Sequence, residues 1–165
     1  MEDFGGTVGQ QIGAGTGSVT SASVVTANGF SGTVANPTTT PAITLDTTGE
    51  KLLVTSSAVD VNTATPTSLF TCPALKTCLI TRVALSNPST SLTTASLSFG
   101  WNSASYNNVI ANATHVELTG STLFTILLPK VGATLGAAAD VLKVLANTLQ
   151  GGAATVDIRV FGILF

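Results

Sequence analysis

Short apolar segments alternate with polar clusters along residues 49 to 165, and Asn, Gly, Ser and Pro are frequent in the clusters. Val, Ile, Phe and Thr in the segments favour strands, whereas the residues between them favour turns. The predicted strands are Lys51 to Val54, Ser68 to Cys72, Cys78 to Leu85, Ala95 to Trp101, Ser105 to Ile110, Thr114 to Leu118, Thr122 to Leu128 and Thr155 to Phe165. Strands at roughly ten-residue spacing, without alternating helices, predict an all-β sandwich or barrel, and we favour an antiparallel, jelly-roll-like β-sandwich.

The segment CLITRVAL, residues 78 to 85, has the regular alternation of a strand. Successive side chains of a strand point to opposite faces. One face is predicted to carry Ile80, Arg82 and Ala84, and the other Leu79, Thr81, Val83 and Leu85.

The segment DVLKVLANTL, residues 140 to 149, fits either a helix or a strand. Its apolar residues have a spacing that also suits one face of a helix. We favour a strand, because only Asp140 could cap a helix, Gly151 and Gly152 end the segment, and strands are predicted around it.

The first 48 residues differ in amino-acid composition from the rest of the chain. Glycine recurs at short intervals up to Gly32, and the few strand formers lie among Ser, Thr and Asn with too little apolar bulk for a core. GAGTGS, residues 13 to 18, matches neither phosphate-loop pattern and is interpreted as turns. We therefore predict an extended arm or fibre-like segment at residues 1 to 48 and a sandwich domain at residues 49 to 165.

The chain has few charged residues, and this limits the kinds of molecule that it is expected to bind. Only 8% of the 165 residues are charged and the net charge is -2. Six scattered basic residues form no stripe for a nucleic-acid backbone. The start, MEDFGGTVGQQ, lacks the features of a secretory signal, and no apolar run reaches the ~18 residues of a membrane span. We expect synthesis in a cytoplasm, with no nucleic-acid partner and no membrane span.

Cys72 and Cys78 flank the predicted turn PALKT. If this turn is the tip of a hairpin, the two side chains face each other, and a disulfide is one alternative. In a reducing compartment two buried thiols are the favoured state. CPALKTC lacks the further ligands of a zinc site, so no metal is predicted.

The residues that usually carry catalysis are few and dispersed. His115 is the single histidine, no G-x-S-x-G motif occurs, and Glu2 with Asp3 is the one close carboxylate pair. A carboxylate dyad would need distant residues such as Asp60, Glu117, Asp140 or Asp157. We predict a protein that is not an enzyme and needs no cofactor.

The segment FGWNSASYNN contains the best candidates for contact with a glycan. Trp101 and Tyr106 could stack on a sugar face, and Asn102 could bond sugar hydroxyls. The alternative is that Trp101 ends a strand and fills the core, and this alternative is favoured.

Residues 18 to 45, SVTSASVVTANGFSGTVANPTTTPAITL, resemble a segment that recurs in fibre and other virion proteins of tailed bacteriophages. The recurring form is S-V-T-S-V-S-V-V-x-A-N-G-F-x-G-T-V-A-x-x-T-T-T-P-A-I-T-L, from which Ala22 departs mildly. Residues 69 to 89 are also similar to a hairpin of phage β-sandwich proteins, with Leu75 where glycine is usual. The first match covers under a fifth of the chain, but it is long and specific.

The resemblance implies a virion structural protein, most simply a homotrimer. Identical copies or a capsid surface would cover the apolar residues of the arm, which a lone chain cannot bury. The residues expected to dock are Val24, Val25, Phe30, Val34, Ile43 and Leu45.

Two virion roles follow from this resemblance, and a third class stays distant. A decoration (cement) protein would attach through its arm to the major capsid protein or another virion protein. A short head or tail fibre or spike would bind a host surface glycan through its head. A polysaccharide depolymerase is the third class. The brevity of the chain favours the first, located in the virion after assembly in the bacterial cytoplasm.

Overall fold

The structure, a computed structural model, describes residues 21–25, 30–36, 40–47, 49–101 and 104–165. Asn102 therefore lies outside the described residues, as do most of residues 1 to 29. The chain divides into two compact units, with the division between Asp46 and Thr47. The described residues contain no helix, and thus none long and apolar enough to cross a membrane.

The N-terminal unit contains a two-stranded sheet of β1 (Phe30–Ala35) and β2 (Ala42–Thr47). Gly32 permits the close approach of the two strands. A Cβ at this position would lie 2.4 Å from the carbonyl oxygen of Thr44, closer than real Cβ contacts occur. A larger residue at position 32 would therefore separate the strands.

The C-terminal unit contains eight further strands. They are β3 (Lys51–Asp60), β4 (Thr67–Thr71), β5 (Cys78–Ser86), β6 (Ser96–Gly100), β7 (Ile110–Thr114), β8 (Phe124–Leu127), β9 (Val141–Thr148) and β10 (Thr155–Leu164). The first sheet has the order β3-β10-β5-β8 and the second the order β4-β9-β6-β7, and all their pairings are antiparallel. Two four-stranded sheets in these orders form a jelly roll, which confirms the predicted fold class.

The connections explain why the fold is a jelly roll rather than a series of hairpins. Within the C-terminal unit only β6 and β7 are neighbours both in sequence and in a sheet, and the other connections pass from one sheet to the other. The first strand of this unit, β3, pairs with its last, β10. The chain must therefore fold as a whole to complete the first sheet.

The core is built from alternating apolar side chains on the inner faces of the strands. β10 buries Val156, Ile158 and Val160, and β9 buries Leu142, Val144 and Ala146. This period of two confirms that residues 140 to 149 form a strand rather than a helix. β6 is buried on both faces, and its two serines are satisfied there: Asn147 Nδ2 donates to Ser98 Oγ at 2.8 Å, and Thr148 N donates to Ser96 Oγ at 3.0 Å.

The alternation predicted for β5 is wrong at one end of the strand. Ile80 is buried together with Cys78, but the later inward residues are Val83 and Leu85. Opposite β5, Phe161 pairs with Arg82 and the next residue, Gly162, pairs with Ile80. Thr81 is thus an extra residue in β5, and such a bulge moves the following side chains to the other face. Ile80 and Leu79 therefore lie on the faces opposite to those predicted.

Two predicted strands between β6 and β8 are also wrong. The predicted strand at Ser105 to Ile110 forms turns up to the start of β7, and Tyr106 has a left-handed φ of 44° that a regular strand excludes. The predicted strand at Thr114 to Leu118 is a turn closed by Leu118 N, which donates to His115 O at 3.0 Å. One five-residue strand, β7, replaces the two.

β3 is longer than predicted and contains a bulge. Ala58 has a left-handed φ of 52°, and its N–H donates to Asp157 Oδ1 at 2.8 Å. This bond and one from the Asn87 amide hold the pKa of Asp157 below its usual range. The carboxylate thereby secures the bulge to the neighbouring β10.

Candidate functional site

Trp101, the first glycan candidate, lies in the core at the end of β6. Its side chain is only 2% exposed, and its indole Nε1 donates to Thr134 O at 2.9 Å. Gly136 lies against the ring, because a Cβ there would be 2.5 Å from Trp101 Cζ2. A buried ring cannot stack on a sugar, and the burial of Trp101 agrees with the favoured interpretation of this residue as part of the core.

Tyr106 is a second glycan candidate, and among the described residues it is the one of these candidates that is not fully buried. It is half-buried in the loop after β6, and Lys143 Nζ lies 5.2 Å from its ring centroid. The loop is fixed beneath it, because Asn108 Oδ1 accepts a hydrogen bond from Trp101 N at 2.9 Å. Asn102, the third candidate, lies outside the described residues, and Tyr106 with Lys143 is what remains of this site.

Cys72 and Cys78 are joined by a disulfide across the PALKT turn. Their Cα atoms are 6.0 Å apart, and both residues are buried. The preference for two reduced thiols is therefore corrected in favour of the alternative. The sequence could not show that Leu75, with its left-handed φ of 62°, turns the chain tightly enough to bring the two cysteines together.

The residues expected to dock lie in the N-terminal unit, and three of them are exposed apolar side chains. Val25 is 79% exposed, Ile43 is 58% exposed and Leu45 is 64% exposed. Val24 and Val34 are half-buried. Phe30 begins β1, but its side chain lies outside what the structure describes.

His115 is a buried titratable residue that no catalytic interpretation explains. Its Nδ1 lies 3.5 Å from Glu117 Oε1, and its buried Nε2 has no hydrogen-bond partner among the described residues. Burial lowers the pKa of His115, against the raising effect of the Glu117 carboxylate. Burial also raises the pKa of Glu117, but hydrogen bonds from its own backbone and from Thr125, together with His115, lower it below its ordinary value.

We expect acid to destabilise the protein through His115. The unfolded chain takes up a proton near the ordinary pKa of 6.5, whereas the folded chain does so only at lower pH. The unfolded state therefore binds more protons as the pH falls from 7.5 to 5.5, and the free energy of unfolding decreases over this window. Glu117 acts in the same direction, but only near and below its ordinary pKa of 4.5.

Urea unfolding at pH 7.5, 6.5 and 5.5 measures this effect, with His115→Gln as the matched variant. The variant should lose less stability between pH 7.5 and 5.5 than the wild-type protein. Equal losses in the two proteins would contradict the assignment to His115.

An ion-pair cluster on the outer face of the first sheet was not predicted. Arg82 Nη2 lies 3.3 Å from Glu50 Oε2, the guanidinium lies 4.4 Å from the ring centroid of Phe161, and the Thr81 hydroxyl donates to Glu50. No sequence motif links these residues, because β5 and β10 are far apart in the chain. The cluster ties β5 to β10 and to the residue just before β3.

Residues 124 to 131 contain a second group that sequence reasoning missed. Four large apolar side chains of this segment, which contains β8, are exposed. They are Phe124, Ile126, Leu128 and Val131. No signal in the sequence separates this segment from a buried strand, since TLFTILLP is apolar on both faces.

Neither a pocket nor a group of three His, Cys, Asp or Glu residues suited to a metal ion occurs within the described ranges. The strand orders and the covered core together define a jelly-roll β-sandwich protein with a separate two-stranded N-terminal unit.

Comparison with known proteins gives structural similarities alone. No family model and no curated protein matches the chain. Among solved structures, the chain is similar to one from the acidic stable capsid of Helicobacter pylori bacteriophage KHP30, with 14% identity, a TM-score of 0.44, and coverage of 71% of this chain and 95% of that one. It is also similar to a chain of the cyanophage Pam1 capsid asymmetric unit, with 14% identity, a TM-score of 0.47, and coverage of 91% and 98%.

Proposed function

We propose that the chain is a non-enzymatic structural protein of a tailed-bacteriophage virion, and specifically a trimeric decoration (cement) protein. Its N-terminal arm would attach it to the major capsid protein or another virion protein, and the sandwich would stabilise the head from outside. The observation that carries the proposal is the phage-type segment at residues 18 to 45, whose apolar side chains Val25, Ile43 and Leu45 lie exposed.

The exposure of these side chains supports attachment through the arm. Burying one large aliphatic side chain stabilises by roughly 1.5 to 3 kcal/mol. Ile43 and Leu45 occupy alternate positions of β2 and so project from the same side of it. A partner surface that covers both gains this free energy with little main-chain rearrangement.

The low charge of the chain supports assembly in identical copies. A symmetric assembly brings the same surface of each copy close to its symmetry mates, so each charge is repeated around the axis. With 8% charged residues, few such repulsions arise. Three copies around a local three-fold axis of the capsid fit this requirement.

A short head or tail fibre or spike is the second candidate, and Tyr106 is the observation that favours it. Its half-buried ring beside Lys143 offers an aromatic face and a cation to a host surface glycan. A fibre would need this surface to be free, whereas a decoration protein would use the arm.

The copy number per particle tests the proposal and separates the two roles. In purified virions of the phage that encodes the chain, quantitative mass spectrometry would measure this protein against the major capsid protein. We expect copies on the scale of the capsid protein itself. A handful of copies per particle would instead support the fibre or spike, and absence from the particle would contradict both.

The same measurement on particles carrying an Ile43→Lys, Leu45→Lys double variant tests the arm. Two lysines in place of exposed apolar residues should lower the copy number at least tenfold, because a docked interface would have to bury two unpaired charges. Leu75→Lys, at an exposed turn of the C-terminal unit, is the matched control and should decorate normally. Full decoration by the double variant would contradict docking through the arm.

A further inference from the structure

The outer edge of the first sheet carries a row of exposed apolar side chains. Phe124 is 68% exposed, Ile126 is 47% exposed and Leu128 is 69% exposed, and their spacing of two places them on one face. Val131, in the turn that follows, is fully exposed. We call these four side chains the β8 strip.

The side chains of the neighbouring strand β5 that are paired with the β8 strip are small. Ser86 pairs with Phe124 and Ala84 pairs with Ile126, and paired residues project to the same face. The inner face of β5 is occupied by Leu85, which is fully buried. Phe124 and Ile126 therefore lie on the outer face beside small side chains that do not cover them.

β8 is also the least protected edge of the sandwich among the described residues. The outer strands of the two sheets are β3, β8, β4 and β7. The pairings of β3, β4 and β7 with their neighbours contain register shifts, whereas the pairing of β8 with β5 has none. Bulges and charges are the usual means by which an edge strand avoids pairing with another chain. The strand β8 itself contains neither a bulge nor a charged residue, and the one carboxylate described beside it, that of Glu117, accepts a hydrogen bond from Thr125.

We propose that the β8 strip is a contact surface between copies of this chain, through which their C-terminal units pack on each other. A second copy suits the strip because a symmetric contact juxtaposes identical or neighbouring surfaces, and an uncharged strip adds no repeated charge. The four side chains expose on the order of 400 Å², about half of what each partner contributes to a standard interface. The open edge of β8 can add main-chain hydrogen bonds to a strand of the neighbour. This inference is independent of the virion role.

The oligomeric state of the full-length protein tests the proposal. Sedimentation velocity over a range of concentrations would compare the wild-type protein with Phe124→Lys and Leu128→Lys. These two positions are largely exposed, so lysine there should leave the fold of a single copy intact, which circular dichroism checks. We expect each substitution to raise the dissociation constant at least 100-fold, so that the variant is monomeric where the wild-type protein is not.

Two further variants separate this surface from the others. Leu75→Lys, at a fully exposed leucine outside the strip, should change the dissociation constant less than twofold. Ile43→Lys reports on self-association through the arm. A wild-type protein that is monomeric at several hundred micromolar, or an oligomer that only Ile43→Lys dissociates, would overturn the proposal.

Hydrogen exchange of the wild-type protein provides a test that needs no variant. The amides of β8 that face its open edge should exchange more slowly at high protein concentration than at low concentration, because a neighbouring copy covers this edge. The amides of β7, the edge of the other sheet, serve as the internal control. Exchange of β8 that is independent of concentration would count against the proposal even if a lysine variant failed to fold.

Discussion

Replacing Trp101 by alanine is expected to lower the free energy of unfolding by about 3 to 5 kcal/mol. The indole is buried at the end of β6, fills the space above Gly136 and donates to Thr134 O. Alanine leaves a cavity and an unpaired carbonyl, and both effects destabilise the folded state. Urea unfolding at neutral pH measures the loss.

Two variants identify the origin of this loss. Trp101→Phe keeps most of the ring and removes the hydrogen bond to Thr134, so an intermediate loss is expected. Tyr106→Ala, in the half-buried loop, should cost less than Trp101→Ala. If Trp101→Ala kept the wild-type stability but abolished binding to a host glycan, the assignment of Trp101 to the core would be wrong.

Loss of the Cys72–Cys78 disulfide is expected to cost about 2 kcal/mol in the chain-entropy model. The bond joins residues six apart in sequence, so it closes a short loop and removes a limited amount of freedom from the unfolded chain. For a domain of this size such a loss lowers the melting temperature by about 5 to 10 °C. Calorimetry of protein refolded with and without a reductant measures this shift.

A Cys72→Ala, Cys78→Ala double variant is the control for the reductant. It should melt below the oxidised wild-type protein and be insensitive to reductant. If reductant left the melting temperature of the wild-type protein unchanged, the two cysteines would be free thiols in the folded protein.

The sequence predicted the sandwich because most strands follow the hydrophobic period. The clearest example is β9, where the buried positions Leu142, Val144 and Ala146 alternate although a helical spacing was also present. Period and turn residues are local properties, and they suffice to place strands whose inner face is apolar.

The predictions that failed depend on properties that are not local. The bulge at Thr81 is set by the pairing of β5 with β10, about 80 residues later, and no feature of CLITRVAL reveals it. The loop from Ala104 to Val109 contains strand formers, but the left-handed φ of Tyr106 and the bond from Trp101 N to Asn108 fold it back along β6.

For the same reason, the sequence predicted one group of exposed apolar residues and missed the other. The exposed apolar residues of β2 could be proposed from a recurring segment, because a small unit cannot bury them. The β8 strip could not, since Phe124 to Leu127 has the same composition as a fully buried strand. Whether such a strand lies in the middle or at the edge of its sheet depends on the topology of the whole chain.

The pairing of β10 between β3 and β5 also determines when the sandwich can form during synthesis. β3 has no other partner in its sheet, and β10 begins 95 residues after the end of β3. At a translation rate of about 5 to 20 residues per second, β3 leaves the ribosome several seconds before its partner exists. Contacts between such distant segments also fold slowly. The apolar strands made early must therefore stay soluble for this interval, and the high content of Ser and Thr between them favours their solvation until β10 closes the sheet.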